Sequence, residues 1–83
     1  MRAEQVLPDS ADRIEVRGAT IRKGTVGAFL ANAQVWTDAQ ASEPARAEAE
    51  ADMLDALPAL RAIGLFDVLG IRDVALRDWV DAH

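Results

Sequence analysis

The sequence predicts an α+β fold, with one β-hairpin at about residues 13–23 packed on three helices at about 25–38, 43–63 and 73–82. Three observations carry that expectation. A short stretch of alternating branched residues is interrupted by Gly18, where a tight turn belongs. Behind it, apolar residues recur at helical spacing. A third stretch is rich in Ala, Glu and Asp, opens on Ser42 and Pro44, and closes on Gly64. At 83 residues the chain has room for one small domain, 1–83. A chain of this size buries only about 60% of its unfolded surface, so its core is thin.

Residues 1–12 show no period, and Pro8-Asp9-Ser10 is a turn signal. They read as a loosely ordered arm that Val6 and Leu7 could pin. The hairpin follows. With Gly18-Ala19 as a two-residue loop, glycine takes the first central position of a type II′ turn. Val16 then faces Ile21, Ile14 lies on the same side, and Glu15 opposes Arg22. An isolated hairpin is marginal in water, so its apolar face must rest on helices or its edge must find another strand.

Gly24 ends the second strand and Thr25 is the expected N-cap of the first helix. Val26, Phe29, Leu30, Ala33 and Trp36 form its apolar stripe, and Gly27 with Ala31 makes a row where another backbone could approach. In the second helix Ala47, Ala51, Leu54 and Leu57 make a stripe that Met53 and Leu60 widen, and Pro58 should kink or split it. Gly64 at C′ would set Leu60 against Leu65 in a Schellman ending. Leu65 to Asp73 then holds a short helical turn, and Asp73 caps a last helix bearing Leu76, Trp79 and Val80.

Composition excludes several kinds of chemistry. Without cysteine there is no disulfide, and the single histidine, His83, is the last residue, so neither a zinc site nor any other metal or cofactor is expected. No signal sequence opens the chain, and no apolar run approaches the ~20 residues of a membrane helix. A cytoplasmic protein with no membrane partner is therefore expected. The formal net charge of -5 is uneven. Arg13, Arg17, Arg22 and Lys23 outweigh Glu15 in the hairpin, whereas acids dominate from Asp38 onward. An acidic chain is repelled by phosphate backbones, which makes nucleic acid an unlikely partner.

Two stretches together resemble a family of small bacterial proteins grouped only as a domain of unknown function. Gly24-Thr25-Val26 opens a helix carrying Asn32 after a hairpin, and Pro58-Ala-Leu60 runs into Gly64-Leu-Phe-Asp67. The likeness spans residues 14–69. The chain departs from it in the short Gly18-Ala19 loop, where a longer Asp-Gly turn is the pattern, and in the shorter segment after Leu69. The resemblance implies an architecture and no activity.

Two surfaces stand out as candidates. Arg17, Arg22, Lys23, Gly24 and Thr25, continuing to Gly27, place cations before a helix N-terminus, an arrangement that receives anions; the plainer reading is a turn and a cap. Trp36, Phe66 and Trp79 are large aromatics in a thin domain; most such residues serve the core, and one near the surface anchors a partner. Glu48, Asp52 and Asp55 share a helical face that reads as solvated, with Arg46 placed to pair with Glu50. The only serines, Ser10 and Ser42, have no base near them, and His83 reads as a bare chain end. These features argue against an enzyme. They favour a protein-interaction module that binds a partner or itself, with anion, nucleotide or nucleic-acid binding at the basic hairpin as the alternative.

Overall fold

The computed structural model describes Met1, Arg2, Gln5 and residues 11–83. The expected arm falls mostly outside these residues. From residue 11 onward the order is β1 (Arg13–Val16), β2 (Ala19–Arg22), α1 (Thr25–Thr37), α2 (Glu43–Ala62), α3 (Leu65–Val68) and α4 (Val74–Ala82). The α+β class and the hairpin-then-helices order match the expectation, with the turn after Gly64 formed as the one-turn α3.

The hairpin closes one residue earlier than its sequence suggested. Ile14 pairs with Ile21, Glu15 with Thr20 and Val16 with Ala19, leaving Arg17-Gly18 as the loop. Both loop residues have positive φ, 51° and 82°, which makes a type I′ turn in place of the expected II′. Its twist suits the strands, and Gly18 takes the second left-handed position without a Cβ penalty. Arg17 in that region costs about 1 kcal/mol. In return Ile14 and Ile21 come directly opposite each other, and a bond from Lys23 N–H to the Asp12 carbonyl (2.7 Å) extends the ladder. The expected apolar face survives because the partners shift by two positions, which preserves the side of each residue. Glu15 loses Arg22, which instead stands opposite Arg13.

The start of α1 also differs. Gly24 (φ 85°) is the N-cap, and no side chain caps the helix. The Thr25 hydroxyl turns back to β2, accepting from Arg22 N–H (3.0 Å) and donating to the Arg22 carbonyl (2.7 Å). Nor does the Gly27–Ala31 row receive a backbone. Both residues are exposed, and a Cβ on Gly27 would meet nothing within 4 Å. Gly27→Ala should therefore raise the unfolding free energy by about 0.5–1 kcal/mol, read from urea denaturation, since only the entropic weakness of a helical glycine is removed.

α1 lies along α2, and β2 also rests on α2. The shared core is Phe29 and Ala33 from α1, Met53, Leu57 and Leu60 from α2, and Leu76 and Val80 from α4. Met53 and Leu60 are fully buried. α2 begins where Ser42 Oγ accepts from Ala45 N–H (3.2 Å) and runs unbroken through Pro58, which lies on the solvent side. It ends at Gly64 (φ 81°), whose N–H bonds the Arg61 carbonyl at 3.1 Å, as expected of a C′ glycine. α4 starts at Asp73, whose carboxylate accepts from Leu76 N–H at 2.9 Å. Its far end is tied to α2 by the Arg61 guanidinium, which donates to the Val80 carbonyl at 2.9 Å.

Candidate interaction surfaces

The aromatic residues singled out by sequence are all half-buried and pack against the core, but they divide between two places. Phe66, on α3, meets Phe29 edge to face with ring centres 5.9 Å apart. Trp36 on α1 and Trp79 on α4 meet at 6.0 Å with a 50° tilt. The second pair is held from both sides. Trp36 Nε1–H donates to Glu50 (3.0 Å), and His83 stacks on Trp79 at 4.6 Å. The His83 Nδ1 also donates to the Trp79 carbonyl at 2.7 Å, so this residue is an ordered helix end and not a bare terminus.

Glu50 is thus the partner of Trp36 and not of Arg46, which pairs with Glu43 one turn earlier. Trp36, Glu43, Arg46, Glu50 and Asp73 line an open notch of about 500 Å³. Arg46 Nε is buried there without a hydrogen-bond partner. Among the described residues, no three histidine or acidic side chains are grouped to hold a metal ion.

Phe66 belongs to a different feature, an apolar groove of about 320 Å³ between α1 and residues 65–76. Its wall includes Val26, Phe29, Leu30, Leu65, Phe66 and Leu69. Leu30 is 54% exposed and Leu69 58%, far above the buried core leucines Leu57, Leu60 and Leu76. Val68 and Val74, within the same segment but off the groove wall, are also exposed. Sequence periodicity missed this groove. Leu30 sits in the helical stripe of α1, and nothing in its spacing says that the stripe is wider than the surface covering it.

The basic residues do not converge. Arg17 is at the tip of the hairpin, while Arg22, Lys23 and Gly24 are at its base, about 16 Å away at strand spacing. Thr25 faces Arg22 through the two bonds already described.

Among the described residues, no helix is long and apolar enough to cross a membrane. Comparison with protein-family models, with curated proteins and with solved structures finds no match for this chain.

Proposed function

We propose that the chain is a cytoplasmic protein-interaction module whose groove between α1 and residues 65–76 receives an apolar, helix-forming segment of a partner. The observation that carries this reading is the exposure of Leu30 and Leu69 on the wall of an apolar trough. Apolar side chains lining a groove are how an amphipathic helix is recognised, through anchors spaced at successive turns. A net charge of -5 disfavours nucleic acid as the partner. No catalytic role is proposed, because Ser42 Oγ serves as a helix cap and, among the described residues, the carboxylates are exposed. The alternative, an anion site at Arg22, Lys23 and Gly24, has less support, since Arg17 is held at the other end of the hairpin.

The test is a titration with a synthetic leucine-rich amphipathic peptide, followed by amide chemical shifts. Shifts should concentrate at Leu30, Phe66, Leu69 and Leu76, and the variant carrying Leu30→Glu and Leu69→Glu should lose them while keeping its fold. Both side chains are more than half exposed, so the substitutions cost little stability. No shift at about 1 mM peptide, near the weakest affinity a specific groove would show, ends the reading.

A further inference from the structure

The two edges of the hairpin are not equivalent. The bond between Lys23 and Asp12 fixes that pair as a hydrogen-bonded one. Alternation along an antiparallel ladder then makes Ile14–Ile21 and Val16–Ala19 hydrogen-bonded pairs as well. Arg13 and Glu15 on β1, and Thr20 and Arg22 on β2, therefore direct their N–H and C=O groups outward. On β2 the Arg22 groups are both taken by the Thr25 hydroxyl. On β1 neither Arg13 nor Glu15 has a backbone partner among the described residues. The chain thus closes the Arg22 half of the β2 edge and leaves Thr20 outward, whereas among the described residues the β1 edge is open at both positions.

We propose that this open β1 edge pairs antiparallel with β1 of a second copy, joining two hairpins into a four-stranded sheet about a two-fold axis at Ile14. The reason to choose a second copy lies in the complementarity of the strand with itself. With Ile14 on the axis, Arg13 of each copy faces Glu15 of the other, and these are the residues whose backbone groups point outward. Four backbone hydrogen bonds form, and each arginine gains an opposite charge across the strand. Arg13 now stands opposite Arg22, a like-charge pair that the hairpin alone leaves uncompensated. Glu15 of the second copy lands beside that pair.

The other face is equally self-complementary. Ile21 is buried and Ile14 half-buried. In the joined sheet the two Ile14 side chains meet at the non-hydrogen-bonded position, where side chains approach most closely. A row of four isoleucines then crosses the sheet on its helix-covered side. An exposed edge is a pairing template in any protein, and β1 itself does not blunt it: the strand holds no proline or lysine, and its two charges attract their own copies. This pairing uses residues distinct from the apolar groove and stands without it.

The experiment is mass in solution by light scattering and sedimentation, from about 10 µM to about 1 mM, the span in which a short edge interface would be populated. The wild-type chain should show a reversible dimer. Arg13→Glu places acid against acid, and Glu15→Arg places base against base, so each variant alone should dimerise at least about tenfold more weakly at low salt. An equimolar mixture of the two should recover wild-type dimerisation, because every cross-strand pair is again of opposite charge. The double variant R13E/E15R should recover it as a homodimer. Glu15→Pro removes an outward N–H that the hairpin ladder does not use, and should weaken the dimer about tenfold or more while far-UV circular dichroism stays native. A monomer at about 1 mM, single variants with wild-type mass, or a mixture no heavier than its components would each overturn the proposal. So would a dimer lost only on changing Leu30 and Leu69 to Glu, an outcome that assigns the interface to the groove instead.

Discussion

Leu60→Ala should lower the unfolding free energy by about 3 kcal/mol and the midpoint of thermal unfolding by about 15 °C. Leu60 is fully buried on α2, in a cluster that also contains Phe29 on α1 and Leu76 and Val80 on α4. Truncation there removes apolar burial and leaves a cavity that the neighbouring helices cannot fill without moving. A domain of about 80 residues has roughly 4–12 kcal/mol of stability in total, so this one change removes a large share. Leu54→Ala is the control. Leu54 is 47% exposed on the same helix, and its truncation should cost less than about 1 kcal/mol. Equal losses at the two positions in urea denaturation would mean that α2 does not present the face described here to the core.

That comparison also shows where sequence reasoning reached its limit. In α2 the expected stripe ran through Ala47, Ala51, Leu54 and Leu57, widened by Met53 and Leu60. Met53, Leu57 and Leu60 are buried as expected, but Ala47, Ala51 and Leu54 are exposed, and Ala49 and Ala59 are buried in their place. An alanine-rich helix gives little angular information, because alanine suits core and surface alike. Contact with α1 makes the choice, and that contact is not written in α2. α4, and α1 apart from Leu30, follow their spacing because their large residues are few and fall on one side. Phe29 and Ala33, and Leu76 and Val80, are buried as their spacing implied.

The turns divide in the same way. Ser42, Gly64 and Asp73 hold the positions their local chemistry dictates, since a cap needs only its own helix. Thr25 does not, because its hydroxyl can choose between the helix ahead and the strand behind, and the hairpin brings Arg22 within reach. The hairpin loop moved by one residue for a related reason. Pairing Ile14 with Ile21 offsets the left-handed cost at Arg17, and that gain arises only when both strands are in place. The candidate surfaces were less legible still. Exposure is a property of what fails to cover a residue, so Leu30 and Leu69 look like core in the sequence.

Asp73→Ala is expected to cost about 1.5–2 kcal/mol, more than a surface carboxylate normally would, because α4 depends on few attachments. A helix of nine residues does not persist by itself in water. α4 is held by the Asp73 cap at one end, by Arg61 on the Val80 carbonyl at the other, and by Leu76 and Val80 in the core. Removing the carboxylate leaves the first-turn N–H of Leu76 without its acceptor and takes a negative charge from the positive end of the helix dipole. Asp73→Asn keeps an acceptor and should recover at least half of the loss. Tryptophan fluorescence can watch α4 directly, since Trp79 contacts Trp36 at 6.0 Å and loosening the helix separates the rings. In Asp73→Ala the emission should shift to the red at lower urea than the far-UV signal of the longer helices; coincident transitions would show that α4 unfolds only with the rest. Asp73 lines both the apolar groove and the notch beside Trp36. A partner seated against Leu69 and Leu76 would therefore press on the helix that this cap secures, and occupying the groove should restore part of the stability that Asp73→Ala removes.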